Sequence, residues 1–177
     1  VARHSGLTKF GEEVVLEMNR LGMLVDISHI SPEAMRHVLR ISQSPVIASH
    51  SSSFALAGST RNVPDDVLQN IAKNDGIVMV NFFPGFLTQE GAEIFNHFWE
   101  YRHCIDKNPS FNEDEITQLS EKWVEEHPVP KCSVENVVDH IEHIVKTAGI
   151  DHVGLGSDFD GIPSGPDHLE DVSFFPY

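Results

Sequence analysis

The sequence has 177 residues, of which 40% are hydrophobic, with 12 glycines and 10 prolines, a composition typical of a globular α/β domain and not of a disordered chain. Its net charge of −15, from 12 Lys and Arg against 27 Asp and Glu, argues against nucleic acid or an anionic membrane surface as a partner. The 2 cysteines, Cys104 and Cys132, are too few for a disulfide framework, and no apolar run approaches the roughly 18 residues of a membrane span.

Residues 8–21 are predicted to form the first helix. Thr8 suits the N-cap position, and Gly22 suits the C-terminal stop. The apolar residues of this helix recur at helical spacing and predict a buried stripe made of Phe10, Val14, Met18 and Leu21. The helix leads into residues 24–29, a short run of mainly β-forming residues that predicts a strand ending in a histidine.

A second strand that ends in a histidine is predicted at residues 45–50. Between the two strands, Ser31 is a good N-cap and Pro32 suits the first position of a helix. A strand, a helix and a second strand form a βαβ unit, so the two strands should be parallel neighbours. Both histidines then lie at the carboxyl-terminal edge of the sheet, where α/β enzymes place their active sites.

The next predicted elements are a polar loop at residues 51–62, a helix at residues 64–74 and a strand at residues 77–82. Residues 84–131 interrupt this order, because they lack a strand pattern and predict a helical insertion with helices at residues 88–105 and 112–126. Such an insertion would wall a substrate pocket, and the alternative is a plain structural excursion. The order resumes with a helix at residues 133–149 and a strand at residues 152–157.

Four repeats of strand and helix are half of a closed barrel. The fold class predicted from the sequence is therefore α/β, a (β/α)8 TIM-type barrel of which residues 1–177 carry about the second half as one partial domain. Polar residues at successive strand ends and the lack of a glycine-rich phosphate loop favour the barrel over the alternative, an open four-stranded parallel sheet. Because a half barrel exposes two strand edges and an uncovered core, we expect the chain to be part of a longer polypeptide or a cleaved product.

Two histidines at the ends of adjacent parallel strands indicate a metal site. A single histidine there is more often a satisfied polar group, but two can converge on one zinc ion, which imidazole binds well. Arg61 is either a surface ion-pair former or a two-pronged clamp for a carboxylate beside the metal. Asp158, after the last strand, could cap the following turn, and Asp160 with Gly161 is most simply a turn. His140 and His143 predict no metal site, because their helix lies on the outside of the barrel.

Several stretches together carry a resemblance to a known family, namely residues 24–29, 45–52, 61–68, 78–82 and 156–161. In this order they resemble the membrane (renal) dipeptidase family, whose members are zinc dipeptidases built on a barrel of the metal-dependent hydrolase type. The resemblance runs from about residue 6 to the end of the sequence and is weakest across the insertion at residues 84–131.

The resemblance implies a site with two zinc ions, of which this chain supplies ligands for one. His29 and His50 match the histidines that hold that zinc in the family. Arg61 matches the arginine that binds the substrate, and Asp158 matches the aspartate assigned to proton transfer. The ligands of the other zinc and the glutamate that bridges both ions come from earlier strands and have no match here, so the isolated chain is predicted to be inactive.

The implied reaction is zinc-dependent hydrolysis of dipeptides, in which a metal-activated water attacks the peptide carbonyl. The predicted partners are a dipeptide and the missing N-terminal half of the barrel, and a homodimer is compatible with them. Two alternatives stay open: another metal-dependent barrel hydrolase acting on a cyclic amide, lactone or acyl substrate, and a non-catalytic barrel scaffold. Ala57 stands where mammalian relatives have a disulfide cysteine, which together with the long insertion favours a bacterial protein, cytoplasmic or periplasmic.

Overall fold

The structure is a computed structural model that describes residues 4–175, so residues 1–3 and 176–177 of the predicted domain lie outside the described residues. The described residues form seven α-helices, which are Lys9–Leu21 (α1), Pro32–Ile41 (α2), Asp65–Lys73 (α3), Pro84–Leu87 (α4), Gln89–Asp106 (α5), Glu113–Glu126 (α6) and Val134–Ala148 (α7). They also form four β-strands, which are Val25–Asp26 (β1), Val46–Ala48 (β2), Ile77–Val80 (β3) and Val153–Leu155 (β4). No helix within residues 4–175 is long and apolar enough to cross a membrane.

The strands β1 to β4 form one parallel sheet in which they follow one another in chain order. Val25 pairs with Val46 between β1 and β2, and Val78 pairs with Val153 between β3 and β4. A doubly wound sheet reverses its strand order at a switch point, whereas the wall of a (β/α)8 barrel keeps the chain order. The observed order confirms the predicted βαβ unit and favours the barrel over the open sheet.

The first two helices begin and end where the sequence predicts. The Thr8 hydroxyl accepts a hydrogen bond from the first turn of α1, and the Ser31 hydroxyl does the same for α2. The helix α1 stops at Gly22, whose φ of 72° is the left-handed conformation that glycine adopts without strain. These short connections deliver the chain directly into β1 and lead it back towards β2.

The hydrophobic core lies between the sheet and the helices that connect its strands. Helix α2 packs on α3, and α3 packs on α7. The residues of α3 that were predicted to face inward, Val67, Leu68 and Ile71, are fully buried. They belong to one cluster with Ile27 and Val78 from the sheet side. Each such side chain contributes about 1.5–3 kcal/mol through its removal from water.

The buried stripe predicted for α1 is wrong. Phe10 is 73% exposed, Val14 is 40% exposed and Leu21 is 55% exposed, whereas the buried residue of this helix is Val15. Of the predicted stripe, Met18 alone packs against the core. The reason is that α1 lies at the edge of the half barrel and contacts only α2 and β1 substantially, so within residues 4–175 its apolar stripe has no layer to pack against.

The two helices predicted within the insertion are observed as α5 and α6. The sequence pattern missed α4, a single turn of four residues that are all buried. Helix α4 packs closely on α5, and α5 packs on α6. The chain after β3 thus folds back over the carboxyl-terminal edge of the sheet before α7 returns it to β4.

Candidate functional site

The structure brings together the two histidines predicted to bind metal. His29 lies just after β1 and His50 just after β2, and their Nε2 atoms are 2.7 Å apart. The two ring centroids are separated by 4.8 Å, with the ring planes tilted by 59°. Both side chains therefore point their Nε2 atoms at one place between the ends of two adjacent strands.

This pair fits a zinc ion by its chemistry and nearly by its geometry. Two tetrahedral ligands at roughly 2.0–2.1 Å from zinc lie about 3.3 Å from each other, so a small rotation of either ring would open the pair to a metal. Burial lowers the pKa of His29, and the nearby charges of Arg61 and His50 lower it further, which favours the neutral imidazole that binds metals. Within residues 4–175, no cluster of three or more His, Cys, Asp or Glu side chains could hold a metal ion.

A hydrogen-bonded chain behind His50 fixes its orientation. Asp26 accepts the hydroxyl of Ser49, and the Ser49 Oγ lies 2.7 Å from the Nδ1 of His50. Asp26 also accepts the backbone N–H groups of Ser28 at 2.9 Å and Ser49 at 3.2 Å. Burial raises the pKa of Asp26, but the hydrogen bonds from Ser49 and Ser28 outweigh that effect and hold the pKa below its usual value.

The hydrogen bonds among Asp26, Ser49 and His50 also determine which nitrogen of His50 carries the proton. Because an ionised carboxylate can only accept, the hydroxyl of Ser49 donates its single proton to Asp26. The contact between Ser49 and His50 is then donated by the Nδ1–H of the imidazole. The Nε2 of His50 then carries a lone pair that faces the Nε2 of His29 at 2.7 Å, and this tautomer can bind a metal through Nε2.

Asp158 lies after β4 and is held by a buried asparagine. The Nδ2 of Asn81, a fully buried residue after β3, donates to the Oδ2 of Asp158 at 3.2 Å. The Oδ1 of Asn81 accepts the backbone N–H of Phe83 at 2.6 Å, so the amide cannot turn over without losing a bond. Glycine is required at position 156, because a Cβ there would collide with the carbonyl oxygen of Ser49.

His29 and Asp158 share an unusual backbone conformation. Their φ angles are 67° and 61°, in the left-handed region that residues other than glycine seldom occupy. His29 follows one edge strand of the sheet and Asp158 follows the other. The sharp turn after each edge strand aims the side chain at the space above the sheet.

Arg61 is a half-buried cation that has no ion-pair partner among residues 4–175. Its Nε and Nη2 atoms are buried and have no hydrogen-bond partner among residues 4–175. Its guanidinium carbon lies 5.1 Å from the ring centroid of Phe86. Burial lowers the pKa of Arg61, and the charges of Asp158 and Asp26 raise it in part. Among residues 4–175, Arg61 forms no surface ion pair, and its unpaired donors are those of an anion-binding group.

One cavity joins these groups. His29, Arg61 and Asp158 line a cavity of about 580 Å3, a size typical of small-molecule sites. A separate cavity of about 650 Å3 lies beside α7 and contains none of the four predicted site residues. The cavity of about 580 Å3 is thus the place where metal-binding, cationic and carboxylate groups meet.

The other histidine pair has a structural role. The Nδ1 of His140 accepts the backbone N–H of Ser53 at 2.9 Å, and its Nε2 lies 3.1 Å from the carbonyl oxygen of Leu87. His143 pairs with Asp65 at 2.8 Å. These bonds tie α7 to the loop after His50, to α4 and to α3.

Comparison with known proteins places the chain in a family. The family model for membrane dipeptidase, peptidase family M19, matches residues 1–177. The chain belongs to the membrane dipeptidase family. Among curated relatives, an uncharacterized dipeptidase of Schizosaccharomyces pombe is 40% identical over 97% of this chain and 32% of its own length. The dipeptidase aclJ of Aspergillus oryzae is 41% identical over 98% of this chain and 32% of its own length.

Solved structures with the same fold include two bacterial proteins. The probable dipeptidase PvdM from Pseudomonas aeruginosa has a TM-score of 0.80 at 28% identity, over 96% of this chain and 46% of its own. A metallo peptidase from Rhodobacter sphaeroides, solved with a phosphinate mimic of the dipeptide L-Ala-D-Ala, has a TM-score of 0.73 at 31% identity, over 98% of this chain and 39% of its own. The prediction of a (β/α)8 TIM-type barrel of which this chain is a part is confirmed.

The chain spans about a third of the length of these curated relatives (32% of each). The alignments with them include 97% and 98% of the chain. Those relatives are fungal and the two solved structures are bacterial, so the bacterial source inferred from Ala57 stays a prediction.

Sequence reasoning missed three residues of the site of this dipeptidase family member: Asp26, Ser49 and Asn81. Asn81 carries the same signal as the histidines, a polar side chain directly after a buried strand, and that rule would have found it. Asp26 lies within β1 and has no such signal, because only the folded pairing of β1 with β2 brings it to Ser49.

Proposed function

We propose that the longer polypeptide containing this chain hydrolyses dipeptides with the help of zinc. The observation that carries this proposal is the convergence of the Nε2 atoms of His29 and His50, 2.7 Å apart, beside the half-buried Arg61, whose Nε and Nη2 have no partner among residues 4–175. Membership of the dipeptidase family supports the same reaction. The remaining metal ligands would come from outside this chain, so we expect residues 1–177 alone to be inactive.

His29 and His50 are the residues that would hold one of the zinc ions. When bound, the metal supplies a water of lowered pKa and polarises the scissile carbonyl. His50 would bind the metal through the lone pair on its Nε2, which the hydrogen bonds with Ser49 and Asp26 leave unprotonated. Ser49 and Asp26 therefore orient the ligand His50 and do not react themselves.

Arg61 is proposed to bind the free carboxylate of the dipeptide. Its guanidinium lines the cavity, and its Nε and Nη2 donors have no partner among residues 4–175, so the fork can bind a carboxylate after a small rotation of the side chain. A buried guanidinium gains most from an anionic partner, because it otherwise bears the cost of desolvation alone. Such a clamp would favour substrates that have a free C-terminal carboxylate.

Asp158 is proposed as the acid/base group. Its carboxylate would take the proton of the attacking water and pass it to the nitrogen of the leaving amine. The amide of Asn81 holds one carboxylate oxygen at 3.2 Å and leaves the other available for the proton. The left-handed turn at Asp158 fixes the direction of the side chain before substrate binds.

The test is metal analysis of the full-length protein together with turnover of a dipeptide in the same preparation. We expect zinc to be bound and dipeptides with a free carboxylate to be cleaved, and we expect His50→Ala to lose metal and activity together. Bound zinc without turnover of any dipeptide would favour another barrel hydrolase that acts on a cyclic amide, lactone or acyl substrate. A protein with neither zinc nor turnover would favour the non-catalytic scaffold.

A further inference from the structure

The cavity has an aromatic wall, which consists of Phe83, just before the insertion, and of Phe86, Phe95, Phe98 and Trp99 within it. The rings interlock edge to face, with centroids 5.0 Å apart between Phe86 and Phe95 and 6.1 Å apart between Phe95 and Trp99. Contacts of this kind add about 0.5–1.5 kcal/mol per pair beyond the burial of area. The wall is therefore a rigid apolar surface and not a loose group of side chains.

This wall faces the polar groups of the proposed site across the same cavity. Phe95, Phe98 and Trp99 lie on one face of α5, because their spacing repeats with the helical turn. Trp99 remains 52% exposed although it is a large aromatic residue on a helix with buried neighbours. An exposed apolar surface beside buried polar groups is typical of a ligand pocket.

Arg61 joins the polar side of the cavity to the aromatic side. Its guanidinium lies over Phe86, 5.1 Å from the ring centroid, so a carboxylate bound by Arg61 would lie at the start of the wall. In a dipeptide, the α-carboxylate and the C-terminal side chain leave the same carbon atom. The side chain that reaches the wall is therefore that of the C-terminal residue.

We propose that the aromatic wall binds a large apolar side chain at the C-terminal position of the dipeptide. This inference rests on the proposed function and adds to it the substrate class, dipeptides that end in an aromatic or large aliphatic residue. The insertion then has a role in selectivity, because its helix α5 supplies three of the five rings.

The experiment uses the full-length protein with its metal and two isomeric substrates, Gly-Phe and Phe-Gly, together with Gly-Ala. We expect kcat/KM for Gly-Phe to exceed that for Gly-Ala by roughly 10- to 100-fold, the effect of burying one large apolar side chain. Phe-Gly contains the same atoms as Gly-Phe but places the ring at the other position, and we expect it to lack this advantage. Trp99→Ala should reduce the ratio of kcat/KM for Gly-Phe to that for Gly-Ala by about tenfold.

A binding measurement removes the dependence on turnover. A phosphinate dipeptide mimic with a benzyl group in the C-terminal position should quench tryptophan fluorescence, and the quench should shrink in Trp99→Phe. Tyr101→Ala is the matched control, because Tyr101 lies on the same helix but stacks on Trp123 at 6.0 Å, away from the cavity. We expect this control to keep the preference for Gly-Phe.

The outcomes separate the inference from the proposed function. Cleavage of all three dipeptides without preference for Gly-Phe, or equal losses in Trp99→Ala and Tyr101→Ala, would overturn the aromatic wall as the binding surface while leaving dipeptide hydrolysis in place. Cleavage of none of the three, with no binding of the phosphinate mimic, would overturn the proposed function and this inference with it.

Discussion

Replacement of Arg61 by lysine tests the proposed carboxylate clamp most directly. Lysine keeps the positive charge but loses the planar fork that binds both oxygens of a carboxylate. In the structure, both Nε and Nη2 of Arg61 are buried without a partner, so neither donor is already used by the protein. The substitution therefore removes a contact to substrate and breaks no hydrogen bond within residues 4–175.

The expected loss follows from the two donors. A hydrogen bond to a charged group contributes about 1.5–3 kcal/mol, and lysine can replace one of the two bonds from a single ammonium. Loss of the other bond predicts a decrease in kcat/KM of roughly 10- to 150-fold, since about 1.36 kcal/mol corresponds to a factor of ten. The weaker stacking of lysine on Phe86 would add about 0.5–1 kcal/mol at most.

The assay compares free and C-terminally amidated dipeptides on the parent enzyme and on Arg61→Lys, with metal content measured in parallel. The variant should lose activity on the free acid and little on the amide, and its metal content should be unchanged. Arg36→Lys is the matched control, because Arg36 already binds both oxygens of Asp66 at 2.6 and 2.9 Å on the protein surface. If the parent enzyme cleaves the amidated and free dipeptides equally fast, Arg61 does not bind the carboxylate.

Three further predictions concern other groups of the site and its support. Asp26→Asn should weaken zinc binding by about 10- to 100-fold, because Ser49 could then donate to the Nδ1 of His50 and the imidazole proton would move to Nε2. Competition with a chelator measures the zinc affinity, and an unchanged affinity would refute the assigned tautomer. Asp158→Asn should keep the metal and lower kcat by roughly 10²- to 10⁴-fold, whereas loss of zinc would make Asp158 a ligand. Burial lowers the pKa of His140 to about 4, below its unfolded value of about 6.5, so stability should be complete above about pH 6.5 and fall as the pH drops towards 4. Between about pH 7.5 and pH 5, the free energy of unfolding of the parent protein should fall by about 2 kcal/mol more than that of His140→Gln, as measured by urea unfolding. An equal decrease in both proteins would show that His140 is not the cause.

The sequence predicted the order of the elements because local signals determined it. Ser31 and Pro32 start a helix by chemistry that does not depend on the rest of the protein, and the structure keeps both roles. The rule that strand ends carry functional groups brought His29 and His50 together correctly. Where residues act on their immediate neighbours in the chain, a single sequence is sufficient to predict the element that they form.

The errors arose where a residue depends on a distant partner. The apolar spacing of Phe10, Val14 and Leu21 is that of a packed helix, but spacing does not say which layer covers it. The role of Asp26 depends on β1 lying beside β2, which places it next to Ser49. The aromatic wall combines Phe83 with residues from α4 and α5, and its contact with Arg61 through Phe86 exists only in the folded chain.

At His29 and Asp158, the left-handed backbone conformation lowers the stability of the fold, while the side chain belongs to the proposed site. A residue other than glycine in this conformation costs about 1–3 kcal/mol, and glycine at either position would relieve that cost. The same change would delete an imidazole or a carboxylate from the cavity. Under the proposed function, selection for thermostability alone would therefore enrich substitutions that inactivate the protein, and a library designed for higher stability should leave these two positions unchanged.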